Sequence, residues 1–169
     1  MKKSLSFKFA LCGIFSALAI VSFVIENLFP PLFFPGARMG ISNVFILLSL
    51  ILLGPGYAFI TLVLKTTLGS LFAGNVSAIL YSLPSGAIAL GLEILAFIVL
   101  KKVSVIAVSI FGAVINSSLQ NLTFCIITNT VEYLYYLPYL ALISIVSGLI
   151  IGFATYLTIK KFPKNRLEK

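Results

Sequence analysis

Residues 59–74 read FITLVLKTTLGSLFAG, and Lys65 stands alone in the middle of this apolar run. The nearest other charges are Arg38 and Glu93, more than twenty residues away on either side. The reading of this stretch depends on its solvent. Of the 169 residues, 60% are hydrophobic and 9% are charged, where a soluble domain carries about 25% charged residues. A chain of this length could bury a core, but it could not cover a water-facing surface with so few polar groups. The class is therefore an all-α integral membrane protein, and its lipid bilayer is the first partner.

The net charge of +8 is placed at the ends of apolar runs. Lys2, Lys3 and Lys8 precede the first run, Lys101 and Lys102 follow the fourth, and Lys160, Lys161, Lys164, Arg166 and Lys169 close the chain. This alternation is what the positive-inside bias produces, and it excludes nucleic acid as the reason for the charge. Six spans follow, at about 7–29, 39–53, 57–72, 78–100, 103–128 and 134–159, forming one six-helix domain over 1–169 with both termini cytoplasmic. The first run is too long for a signal-peptide core and is read as a span. The second and third fall short of the ~20 residues that cross ~30 Å of hydrocarbon; neighbours must shelter them, or the bilayer must thin. Turn residues mark the breaks: Pro30, Pro31, Pro35 and Gly36, then Gly54-Pro55-Gly56, then Ala73-Gly74-Asn75. Pro138 falls in the first turn of the last span, where its missing N–H costs least.

Polar side chains inside spans should turn toward the bundle interior. On the fifth span Ser109, Gly112, Asn116 and Gln120 share one side, with Ala113, Ser117 and Asn121 on an adjacent stripe. Val108, Phe111, Ile115, Leu119 and Leu122 oppose them. Ser82, Gly86, Ala89 and Glu93 align on the fourth, and Thr61, Lys65 and Gly69 on the third. Counting from the cytoplasmic ends puts Lys65 and Glu93 at one depth, as an intramembrane ion pair; the alternative is that Lys65 binds an anionic ligand. A ligand site is expected in the outer half, from Arg38, Asn43, Asn116, Gln120 and Asn121, with the apolar 30–38 loop as a lid. Guanidinium and amides there suit carbonyl, carboxylate or phosphate oxygens. Small residues at spacing four, Gly13 with Ala17 and Gly148 with Gly152, permit close helix contact, within the bundle or with another membrane protein. Cys12 and Cys125 have no metal or disulfide spacing and read as packing residues. Asp is absent and the four Glu are scattered, so no Mg²⁺-diphosphate site, other metal site, cofactor or catalytic group is expected, and the chain does not read as an enzyme.

Three stretches carry a resemblance: PGARMGISNVFILLSLILLGPGYAFITLVLKTTLGSLFAG (35–74), YSLPSG (81–86) and SIFGAVINSSLQN (109–121). The P-G-x-R-x-G-x-x-N start, the Gly-Pro turn, the basic residue before L-G-S-L and the G-A…Q helix together resemble the bacterial Gx transporter family, also labelled heptaprenyl diphosphate synthase component I. That family looks like the S components of energy-coupling factor importers. The resemblance implies a multi-pass bacterial cell-membrane protein that binds a small molecule, of vitamin or isoprenoid/quinone-precursor type. It would work with a transmembrane coupling subunit and two ATPase subunits. Arg38, Asn43, Lys65 and Gln120 would line the cavity, and Gly13 and Ala17 would dock the coupling subunit. The alternative is an accessory subunit for isoprenoid or quinone biosynthesis, or for flavin-linked electron transfer outside the cell. Where the family pattern has His-Asn, this chain has Asn116-Ser117, so no imidazole stands there.

The charge pattern predicts that an impermeant thiol reagent added outside whole cells labels Asn75→Cys and Val131→Cys but not Lys102→Cys. Labelling at 102 contradicts the orientation.

Overall fold

Each apolar run becomes a helix. The computed structural model describes residues 5–28, 40–100 and 103–161; Arg38, the 30–38 loop and the Lys101-Lys102 pair lie outside the described residues. The helices are α1 Leu5–Leu28, α2 Asn43–Leu52, α3 Pro55–Phe72, α4 Ala78–Val99, α5 Val105–Thr128 and α6 Leu137–Lys161, with a 3₁₀ segment at Val131–Tyr136 before the last. The expected breaks carry the expected backbone. Gly54 caps α3 at φ +109° with Pro55 as its first residue, a conformation open to Gly but strained for a residue with Cβ. Ser104 accepts the Ala107 N–H at 3.1 Å and starts α5, and Asn129, left-handed at φ 53°, ends it.

Four helical segments are long and apolar enough to cross a membrane: α1, α4, α5 and α6 with its 3₁₀ lead-in. α2 departs from the expected 39–53 span. It has 10 residues, or about 15 Å at 1.5 Å per residue, half the hydrocarbon thickness. Its start is delayed because Gly40 adopts φ +64° and the chain turns, the Asn43 N–H bonding back to the Gly40 carbonyl at 2.8 Å. Glu26 then receives the Ser42 N–H at 2.9 Å, placing a carboxylate at the positive end of the helix dipole. A helix this short is kept from lipid by its neighbours: Ile46, Leu47, Leu48, Ser49, Leu50 and Leu52 are all buried.

α2 packs on α1, α3 and α6, while α3, α4, α5 and α6 follow one another around the remaining wall. One apolar cluster, Ile46, Leu47, Leu50, Ala58, Leu62, Leu90 and Ile151, joins α2, α3, α4 and α6. A second, Cys12, Phe15, Leu48, Leu52 and Leu53, joins α1 to α2 with Ile159 against it. The contact of Ile159 with the Cys12 cluster brings the start of α1 and the end of α6 together, so Lys8, Lys160 and Lys161 mark one basic end of the bundle. The outside is apolar, with Ile14, Val21, Phe59, Phe111, Leu142, Ile150 and Phe153 exposed on several helices, as a lipid-facing surface requires.

The two small-residue pairs separate. Gly148 and Gly152 are internal: a Cβ on Gly148 would lie 2.6 Å from Ile110 Cα, and one on Gly152 2.7 Å from Ile106 Cα. The α5 and α6 backbones therefore meet at these glycines. Gly13 has nothing within 4 Å of its added Cβ, and it and Ala17 lie exposed on the outer face of α1. The face assignment fails at Val108, which is 1% exposed; close α5–α6 contact covers one flank of the face that the periodicity leaves to lipid.

Gly148→Ala and Gly152→Ala each push a methyl group into backbone, and each should destabilise the protein by about 1–3 kcal/mol. Thermal unfolding in detergent should show a lowered midpoint for both and none for Gly13→Ala. Equal midpoints would mean that α5 and α6 do not meet at the glycines.

Candidate functional site

The polar faces converge. Between the helices lies a cavity of about 80 Å³, lined from all six: Phe23 and Glu26 of α1, Asn43, Ile46 and Leu47 of α2, Leu62 and Lys65 of α3, Ser82, Gly86, Ala89, Leu90 and Glu93 of α4, Ser109, Gly112, Ala113, Asn116, Ser117 and Gln120 of α5, and Ser147 and Ile151 of α6. Gly40 and Ser42 complete it. A water needs about 10–15 Å³ of such space, so the cavity holds several waters or a compact polar group. All four residues aligned on α4 face it, as do the α5 residues of both polar stripes except Asn121. At two glycines of the lining a neighbouring helix fills the space: a Cβ on Gly86 would meet Leu62 Cδ1 at 2.8 Å, and one on Gly112 would overlap the Glu93 carboxyl.

Lys65, 8% exposed, answers the opening stretch. Its Nζ donates to Asn43 Oδ1 at 2.7 Å and lies 5.5 Å from the centre of the Phe23 ring, within cation–π range. The cation thus ties α3 to the first residue of α2, one position after the Ser42 N–H held by Glu26. Across the cavity Gln120 Nε2 donates to Ser82 Oγ at 2.8 Å, joining α5 to α4. Ser144 Oγ donates to Ser117 Oγ at 2.6 Å, joining α6 to α5. An interhelical amide or hydroxyl contact of this kind contributes about 1 kcal/mol, so these bonds position side chains more than they hold the bundle together.

The expected Lys65–Glu93 pair is corrected by the helix register. Gly86 opposes Leu62. Lys65 is three residues from Leu62 toward the far end, and Glu93 is seven from Gly86 toward the basic end. Those ten residues separate the two levels by roughly 15 Å. Counting from the helix ends failed because the ends are not level: from the same contact, α4 projects about six residues, roughly 9 Å, beyond the start of α3. Both charges line one cavity, at opposite ends of it. Asn43, Lys65, Asn116 and Gln120 are brought together there. Asn121 is not: it is turned away, and its Oδ1 accepts from Cys125 Sγ at 3.7 Å. Arg38 lies outside the described residues. Thr61 also leaves the cavity, to sit among Ser16, Ser49 and Cys12 in a hydroxyl cluster between α1, α2 and α3.

Glu26 and Ser42 are cavity residues that the polar-face reading missed. The signal was present in Glu26, an acid one turn from the end of the first span, but an acid so placed reads equally as a group at the water interface. Three oxygens around the cavity have no hydrogen-bond partner while fully buried: Ser42 Oγ, Ser109 Oγ and Asn116 Oδ1. Such groups cost roughly 1–3 kcal/mol each when left without a partner, and a cavity of this size has room for water or a polar group to satisfy them.

A family model described as heptaprenyl diphosphate synthase component I matches residues 15–158. That range contains every cavity residue and begins two positions after Gly13. No curated protein and no solved structure matches the chain.

Proposed function

We propose that this chain, which belongs to the heptaprenyl diphosphate synthase component I family, is a membrane subunit that binds a small molecule in its central cavity and passes it on through partner subunits. The observation that carries this reading is the cavity itself. A protein that only braced a membrane complex would bury apolar side chains between its helices. This one lines a shared space with a cation, two carboxyl groups, three amides and several hydroxyls. Polar groups at such depth are costly and mark substrate or ion pathways. The ammonium of Lys65 and the amides of Asn43 and Gln120 suit a ligand presenting carboxylate, phosphate or carbonyl oxygens.

The form of the proposal is the substrate-binding subunit of an energy-coupling-factor-type importer, for a vitamin-like compound or an isoprenoid or quinone precursor. The coupling subunit and two ATPases are then separate chains, and the exposed Gly13–Ala17 face of α1 is where the coupling subunit sits. The termini face the cytoplasm of a bacterial cell. The family description supports a second reading, a membrane component that serves isoprenoid synthesis. In that role the chain would hand a substrate to a soluble enzyme and not make the bond itself, because it has no Asp and only four Glu to organise metal and diphosphate.

Native mass spectrometry of the detergent-purified protein tests the reading. The wild type should retain one small molecule, and Lys65→Met and Gln120→Leu variants that still unfold cooperatively should lose it. Recovery of a soluble enzyme in place of a small ligand would favour the second reading. Equal retention by all three proteins would place the ligand elsewhere.

A further inference from the structure

Tyrosine marks both ends of the bundle. The chain has seven Tyr and no Trp. Tyr57 and Tyr156 lie at the basic end, where the Tyr57 ring meets Phe9 edge-on at 5.6 Å. The other five, Tyr81, Tyr133, Tyr135, Tyr136 and Tyr139, gather at the opposite end. Their grouping follows from the 3₁₀ geometry of Val131–Tyr136, in which side chains at i and i+3 eclipse. Tyr133 and Tyr136 share the inner side: the Tyr133 ring meets Phe124 edge-on at 5.1 Å, and Phe124 meets Tyr81 at 5.6 Å. Glu132 and Tyr135 share the outer side, and Tyr135 is 81% exposed. Tyr139, in the first turn of α6, is exposed as well. From Tyr139 to Tyr156 α6 rises roughly 26 Å at 1.5 Å per residue, close to the ~30 Å of the hydrocarbon layer. Between them, residues 140–155 hold no charge and no tyrosine.

From this placement we propose that Val131–Tyr136 and the first turn of α6 form an interfacial anchor, with the Tyr135 and Tyr139 rings seated in the phospholipid headgroup layer on the side opposite the basic end. The side chains decide between the three surroundings an exposed segment can have. Water would leave Ile126, Val131 and the two rings as one exposed apolar patch. Hydrocarbon would leave the phenol hydroxyls and the Glu132 carboxylate without partners. The headgroup layer takes an apolar ring and a polar tip at once. Glu132 is the one charged residue between 126 and 139, so no cation here selects anionic lipid and a zwitterionic headgroup suffices. The anchor also sets the depth of the cavity. Tyr81 precedes Ser82, and Phe124 lies one turn beyond Gln120, so the Gln120–Ser82 bond stands within about one turn, roughly 5 Å, of the headgroup layer.

Because the chain has no Trp, one introduced Trp reports its own depth. Tyr135→Trp, Tyr139→Trp, Tyr156→Trp and Leu149→Trp, all at exposed positions, are reconstituted singly as full-length protein in phosphatidylcholine vesicles. The lipid carries bromine either near the headgroup end of the acyl chain or near its tip. Neither a ligand nor a partner subunit is needed, so the result stands apart from the importer reading. The three tyrosine variants should be quenched roughly twofold more by the shallow bromine than by the deep one, as interfacial rings are. Leu149→Trp, roughly 15 Å along α6 from Tyr139, should show the reverse. Stronger quenching of Tyr139→Trp by the deep bromine overturns the anchor. So does a Tyr135→Trp protein that neither bromine quenches and aqueous iodide does, because the segment then stands in water. Shallow quenching of Leu149→Trp would mean that the α6 tyrosines do not bracket the hydrocarbon, and it overturns the placement too.

Discussion

The structure follows from one constraint: a polar group that faces hydrocarbon has no partner. In water an exposed serine or asparagine costs nothing. In a bilayer it must find a protein partner or turn toward a shared interior. Each helix of this chain has one face that meets that demand, and six such faces can meet only around a common space. The cavity is therefore not a packing failure. It is the place to which Glu26, Asn43, Lys65, Ser82, Glu93, Asn116 and Gln120 are all driven, and it exists because the outer surface can be apolar throughout.

Within that frame, small residues control how closely the walls approach. Gly148 and Gly152 let α6 lie on the backbone of α5, and Gly112 lets Glu93 press against α5 from the other side. α5 is thus held from two directions by glycine contacts, and its polar face is held in a fixed orientation toward the cavity. α2 takes the opposite role. It is too short to cross the membrane, is buried on most of its length, and is fixed at its start by Glu26 and Lys65.

Much of this was legible in the sequence. The apolar runs and their Gly, Pro and Asn breaks give helix limits close to those observed, and helical periodicity gives the faces of α4 and α5 that line the cavity. Those signals are local, set by a few residues and one turn of helix. What was not legible depends on how one helix slides or rolls against another. The depth of Lys65 relative to Glu93 depends on the Gly86–Leu62 contact. The burial of Val108 and the turning of Asn121 toward Cys125 depend on the roll of α5. The late start of α2 depends on a positive φ at Gly40, which the glycine permits but does not announce. The family resemblance read from residues 35–121 agrees with a family match over 15–158, while the importer assignment goes beyond what that match states.

The central claim is that the α5 face bearing Ala113 lines a water-containing cavity while the face bearing Phe111 meets lipid. In a background with Cys12 and Cys125 replaced by Ala, the reaction rate of a small charged methanethiosulfonate with Ala113→Cys and with Phe111→Cys measures this directly in native membranes. The thiol must ionise to react, which needs water. The account predicts reaction at 113 and little or none at 111. Reaction at 111 as fast as or faster than at 113 would contradict it.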